Sequence, residues 1–111
     1  MPGKYEIKRA KNGEYHFNLK AGNGETILTS ETYKAKTGAK SGIESVKINS
    51  SQQDRYERKA SPGGKFFFVL KAGNREVIGR SEMYETETSR DNGIESVKTN
   101  GPAAEVVDLT V

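Results

Sequence analysis

A stretch of about 46 residues occurs twice in this chain at a constant offset, and this duplication constrains the fold more than any other feature. Setting Tyr5 on Tyr56 and continuing to Ser50 on Gly101 needs no gap, and about half of the aligned pairs are identical. Phe17-Asn18-Leu19-Lys20-Ala21-Gly22-Asn23 answers Phe68-Val69-Leu70-Lys71-Ala72-Gly73-Asn74, and Gly42-Ile43-Glu44-Ser45-Val46-Lys47 recurs unchanged from Gly93 to Lys98.

At 111 residues the chain has room for one ordinary domain but not for two independent ones. Only 32% of it is hydrophobic and its mean hydropathy is -0.80, so two separate cores could not be filled. The repeats are therefore expected to share one core. Residues 1–111 read as a single structural domain, with repeat one at 5–50, repeat two at 56–101 and a closing strand at 102–111. Aromatic and β-branched residues at strand spacing, with a net charge of only +3, argue against a disordered chain.

Each repeat reads as three strands and a helix. The first strand spans 5–9 and 56–60, and Lys11-Asn12-Gly13 or Ser61-Pro62-Gly63-Gly64 turns the chain. In the second strand Tyr15, Phe17 and Leu19 alternate with His16, Asn18 and Lys20, which makes one face apolar. Ala21-Gly22-Asn23-Gly24 and Ala72-Gly73-Asn74-Arg75 supply hairpin residues, and a third strand covers 26–30 and 77–81. Thr37 and Thr88 are the expected helix N-caps, with Asn49 and Asn100 as left-handed C-caps. Ala39, Ile43 and Val46 form one apolar stripe. A mid-helix glycine costs roughly 1 kcal/mol relative to alanine. Gly42 and Gly93 thus imply that the helix backbone comes close to the sheet or to the other helix. The alternating tail 104–111 reads as a last strand, matched in repeat one by 53–57, which runs straight into the next repeat. One continuous strand is then expected to serve both units.

Composition narrows the function. The chain has no cysteine, which excludes disulfides and thiolate metal sites. No apolar run is long enough for a signal peptide or a membrane span, so a cytoplasmic location is expected. The pI of about 9.1 admits an anionic partner, yet 18 Lys and Arg are interleaved with 15 Asp and Glu.

The pattern F-x-L-K-A-G-N-x-E-x-I, then S-E-x-Y, then a helix bearing G-I-E-S-V-K and an Asn, resembles the YegP-like family of small bacterial proteins. Phe17 to Ile27, Ser30-Glu31 with Tyr33, and Gly42 to Asn49 carry it in repeat one, with their partners in repeat two. The likeness covers nearly the whole chain. It implies an α+β fold of two tandem β3-α-β units with pseudo-twofold symmetry. These would form a single antiparallel-rich sheet packed by two helices, with the C-terminal strands exchanged between units. Members with one unit would pair as dimers, and tandem members would be monomers with an internal pseudo-dimer. The family is uncharacterised, so no catalytic or binding residue follows from it.

The residues themselves point away from catalysis. His16 is the only histidine and is replaced by Phe67 in repeat two, so no metal or triad chemistry belongs to the unit. The retained carboxylates Glu44 and Glu95 have Lys47 and Lys98 three residues on, as in ordinary surface pairs. The Gly22-Asn23-Gly24 turn joins strands and is no phosphate loop. We expect no enzyme activity, no cofactor and no metal.

Two candidate surfaces remain. Lys20/Lys71, Asn23/Asn74, Ser30/Ser81 and Glu31/Glu82 are polar and retained in both repeats. Structural roles account for much of this set, including turn formation by the asparagines. Phe67 and Val69 face outward on the second strand of repeat two, where they would form an apolar patch. Coverage by the apolar tail or by a helix is expected there. The reading is a non-enzymatic module that binds a protein or nucleic acid and has no membrane attachment. Its alternatives are salt-sensitive nucleic-acid binding through the basic and aromatic sheet face, or, less favoured, a small-molecule enzyme.

Overall fold

The computed structural model describes residues 3–111. Its strands and helices run β1 (Lys4–Arg9), β2 (Tyr15–Lys20), β3 (Thr26–Ser30), α1 (Lys36–Asn49), β4 (Tyr56–Ala60), β5 (Phe66–Lys71), β6 (Val77–Arg80), α2 (Glu87–Asn100) and β7 (Glu105–Asp108). The seven strands form one sheet in the order β4-β5-β6-β3-β2-β1-β7. All neighbours are antiparallel except β7, which adds to β1 in parallel.

The alternation read from the sequence sets the faces. Tyr5, Ile7, Phe17, Leu19, Phe68 and Leu70 are fully buried against the helices, and Ala39, Ile43, Val46, Ile94 and Val97 meet them from above. Each helix packs on strands of both repeats: α1 on β2 and on β5 and β6, α2 on β5 and β3. The core is common to the two repeats. At the sheet centre β3 meets β6, where Thr29 pairs with its own counterpart Arg80.

Two buried tyrosines lock the repeats together. The Tyr5 hydroxyl donates to the Gly101 carbonyl at 2.7 Å, and the Tyr56 hydroxyl donates to the Ser50 carbonyl at 2.6 Å. Each bond thus runs from the first strand of one repeat to the helix end of the other. Burial pushes both phenols far above their ordinary pKa, helped by Glu44 at Tyr5 and by Tyr5 and then Glu95 at Tyr56.

Several sequence expectations change. The helices start two residues earlier than expected, with Ala35 and Thr86 at the N-cap positions in place of Thr37 and Thr88. Thr86 caps α2, accepting from the Ser89 N–H at 3.0 Å, while Ala35 stands at that place before α1 and has no side-chain cap. Asn49 and Asn100 are the last helical residues and not left-handed caps. Their side-chain amides donate to the Ser45 and Ser96 carbonyls, and the chain stays right-handed through Ser50 and Gly101.

The shared continuous strand is also absent. Gln53–Arg55 form a turn of 3-10 helix, and β4 begins only at Tyr56. Repeat one therefore has no separate strand matching β7. The chain between the end of α1 and β4 is too short to supply one, whereas the tail after α2 is free to reach β1. No helix of the structure is long and apolar enough to cross a membrane.

Candidate functional site

The retained glycine in each helix marks a site. A Cβ on Gly42 would lie 2.9 Å from Tyr33 Cζ and 3.0 Å from Phe17 Cε2, and one on Gly93 would lie 2.8 Å from Tyr84 Cζ and 3.2 Å from Phe68 Cε2. Helix and tyrosine approach closely in both repeats. The tyrosines are held there by backbone bonds: Tyr33 exchanges two with Tyr15, and Tyr84 two with Phe66. Their rings complete the core edge, and their hydroxyls lie against the helix glycines, nearer than any other atom to a Cβ placed there.

Beside each tyrosine lies a cleft built from both repeats. The first, of about 450 Å³, has Glu31, Tyr33, Gly42 and Ser45 on one side and Ala72, Asn74, Glu76 and Ile78 on the other. The second, of about 310 Å³, has Tyr84, Gly93 and Ser96 facing Ala21, Asn23, Glu25 and Ile27. These pairs are the same residue types at equivalent positions, but Gly38 and Ser41 of the first cleft answer Ser89 and Asn92 of the second, and Glu31 and Val77 line the first alone. Each cleft joins the β-hairpin of one repeat to the tyrosine and helix of the other. Among the described residues, no Lys or Arg lines either one.

The tyrosine hydroxyls have raised pKa values, Tyr33 through burial and then Glu31, Tyr84 through burial and then Glu82 and Glu25. Glu25 acts across the boundary between repeats. Unlike Tyr5 and Tyr56, neither Tyr33 nor Tyr84 spends its hydroxyl on a hydrogen bond to another described residue.

The candidate residues from the sequence fall into three places. Asn23, Asn74 and Glu31 line the clefts, and each asparagine also accepts a turn N–H, from Glu25 or Glu76, at 3.0 Å. Ser30 and Ser81 are structural. Their hydroxyls accept from the Phe17 and Phe68 N–H at 2.8 and 3.0 Å and donate to the Glu31 and Glu82 carbonyls. Glu82 lies with Glu31 and Arg80 around a groove at the sheet centre.

Lys20, Lys71 and Phe67 lie on the opposite, uncovered face of the sheet. Lys20 pairs with Glu6 at 3.0 Å and Lys71 with Glu57 at 2.7 Å. Lys4 and Lys8 also surround Glu6, whose pKa is lowered chiefly by the hydrogen bond from Lys20. The expected cover over Phe67 and Val69 is absent. Strand β7 sits at the far edge of the sheet and the helices on its other side, so Val69 is buried instead by its strand neighbours while the Arg80 guanidinium stacks over Phe67 at 5.9 Å. His16 shares this face, with its pKa lowered by burial and then by Lys8.

Strand alternation places Lys4, Lys8, Lys20, Lys59, Lys71 and Arg80 on that face against Glu6, Glu57 and Glu105. At these strand positions six cations stand against three carboxylates. Among the described residues, no three His, Cys, Asp or Glu side chains cluster closely enough to hold a metal ion.

Sequence reasoning missed Tyr33, Tyr84, Glu25, Glu76, Ser45 and Ser96 as a set. Each was legible as retained, but their meeting across repeats depends on the sheet order. The signal available was the unchanged run Gly42 to Lys47, although Ser45 in it also serves its own helix by accepting from the Asn49 side-chain amide.

Known proteins agree with this architecture. The family described as "Domain of unknown function (DUF1508)" matches residues 10–57 and again 62–108. A UPF0339 protein of Acinetobacter baylyi is 60% identical over 99% of both chains, and the UPF0339 protein YegP of Escherichia coli K12 is 53% identical over 99% of this chain and 100% of its own. The solution structure of yegP from E. coli, a protein of unknown function, superimposes with a TM-score of 0.93 at 52% identity, covering 98% of this chain and 94% of that one. A UPF0339 protein structure from Shewanella oneidensis gives 0.92 at 49% identity, covering 98% and 92%. With two family matches spanning most of its length and full-length relatives above half identity, the chain belongs to the DUF1508 family of UPF0339, YegP-like proteins.

Proposed function

We propose that the protein is a non-enzymatic, bivalent binding module of the cytoplasm. Its two pseudo-twofold halves would present equivalent clefts to a protein partner, with β7 lent by the second half to the first. The observation that carries this reading is the pair of clefts that share a core of equivalent residues, tyrosine, glycine and serine facing alanine, asparagine, glutamate and isoleucine, each needing both repeats to exist. Catalysis would require an assembled acid, base or nucleophile with a driven pKa. The clefts offer carboxylates, hydroxyls and amides without such a pair.

A pull-down from source cells after nuclease treatment tests the reading, with a bait altered in both clefts (Tyr33→Phe, Glu76→Gln, Tyr84→Phe, Glu25→Gln) as control. A protein retained by the native chain and lost by the variant supports it. Identical capture by both baits sinks it.

The outward sheet face supports a second reading. Its strand positions carry six cations against three carboxylates, with the Phe67–Arg80 stack among them, so nucleic acid is the partner its charge suits. Gel shifts with single-stranded and duplex DNA and RNA should then show binding that falls steeply with salt. No shift at low salt ends this second reading.

A further inference from the structure

On the open face of the sheet the two repeats differ in a consistent direction. Repeat two has Phe67, Val69 and Arg75 where repeat one has His16, Asn18 and Gly24. Arg75 stands at φ 75°, and among the described residues it is the only non-glycine with a positive φ. Its counterpart Gly24 makes the same turn at φ 87° without strain. A charged side chain is therefore kept at Arg75 against a backbone cost that glycine would remove.

That side chain borders a hollow. Arg55, Lys71 and Arg75 line a cleft of about 250 Å³ at the end of β5, with Asp54 beside them. Arg55 donates to the Asn49 side chain at 3.0 Å and pairs with Asp54 at 2.9 Å, while Lys71 pairs with Glu57 at 2.7 Å. Partly exposed ion pairs of this kind contribute little, so a phosphate can compete for the cations.

From the cleft a line of side chains runs back along β5. Lys71, Val69 and Phe67 share the open face, and strand rise sets Phe67 about 13 Å from Lys71. The Arg80 guanidinium stands over the Phe67 ring at 5.9 Å. A three-cation cleft, an aromatic ring and a basic surface thus lie along one strand. Phosphodiesters suit the first and third, and a base suits the ring. Both helices pack on the other side of the sheet, so no helix projects from this face to enter a duplex groove. An aromatic side chain on a sheet stacks with bases that are unpaired.

We infer that the open sheet face binds single-stranded nucleic acid, with a phosphate seated among Arg55, Lys71 and Arg75 and a base stacked on Phe67. This rests on the second reading above and adds the form of the nucleic acid and its placement.

Fluorescence anisotropy of the full-length protein with single-stranded DNA and RNA, a DNA duplex and heparin tests it. Single strands should bind more tightly than the duplex, and their affinity should fall steeply as salt rises. Phe67→Ala should weaken single-strand binding about tenfold or more and leave heparin, which has no bases, unaffected. Arg75→Gly should weaken both ligands and lower the salt slope by about one, without lowering the unfolding midpoint. A merely structural Arg75 would move the midpoint alone. Lys47→Gln, in α1 on the other side of the sheet, should bind as the native chain does. Duplex binding as tight as single-strand binding would overturn the single-strand assignment while sparing the nucleic-acid reading. Native affinity in both Phe67→Ala and Arg75→Gly would overturn the placement. Absence of binding to every nucleic acid at low salt would overturn the inference and the reading together.

Discussion

Leu28 fills the space that a side chain at Gly79 would need. A Cβ on Gly79 would lie 2.7 Å from Leu28 Cγ, and the two residues are counterparts in the two repeats. Where β3 meets β6 the halves face each other, so one large residue there demands a small one opposite. Gly79→Leu should destabilise the fold by about 1–3 kcal/mol through overpacking. Leu28→Ala combined with Gly79→Leu should recover a large part of that loss, because the two positions share one volume. Urea denaturation of the single and double variants decides this, and strictly additive effects would count against the shared volume.

The Tyr33–Gly42 contact makes a prediction opposite to helix propensity. In an unconstrained helix Gly42→Ala would stabilise by roughly 1 kcal/mol. With Tyr33 Cζ 2.9 Å from the new methyl, the substitution should lower the midpoint of unfolding instead. The same alanine placed in a Tyr33→Ala background should become stabilising. A gain from Gly42→Ala alone would show that helix and tyrosine are not in tight contact.

Ser30 and Ser81 stand in for missing ladder bonds. Each hydroxyl satisfies a buried backbone N–H, that of Phe17 or Phe68. Ser30→Ala and Ser81→Ala should each cost about 1–3 kcal/mol, since a buried donor is left unpaired. Their effects should be closely similar, and calorimetry of both variants reads this directly. A cost within error of zero would mean that water replaces the hydroxyl.

Much of this fold was legible because its strands alternate cleanly. Phe17 and Leu19 against Asn18 and Lys20 placed β2 and its faces to the residue. The helix ends were less legible, since Thr88 is retained and Thr86 is not, yet Thr86 has the oxygen that caps α2. Asn49 misled in the same way: an asparagine near a helix end suits a left-handed cap, but a donor to its own helix serves equally. The cleft was out of reach for another reason. Glu25 and Tyr84 are nearly sixty positions apart, and only the sheet order brings a hairpin of one repeat to the helix of the other.

The closing strand should loosen at acid pH. Asp108 accepts from the Thr110 hydroxyl and N–H at 2.6 and 2.8 Å and pairs with Lys36 at 3.0 Å, which together hold its pKa at about 2. A carboxylate depressed in the folded state stabilises fully above its unfolded pKa and loses that contribution as pH falls through the folded one. Amide exchange in β7 should therefore quicken as pH drops from about 4 toward 2, beyond the intrinsic pH effect. Asp108→Asn should abolish that extra dependence. If native and variant chains show the same acid response, Asp108 does not anchor the strand.

The central claim is that both repeats draw on one core, from which the clefts follow. Native-state hydrogen exchange of the full chain carrying Ile43→Val tests it most directly, since Ile43 lies in α1 of repeat one and is 1% exposed. The substitution should cost about 0.5–1.5 kcal/mol. The slowest amides of β2 and of β5 should lose protection by the same amount, as parts of one cooperative unit. Loss in β2 with β5 unchanged would contradict the account, because it would give each repeat a core of its own.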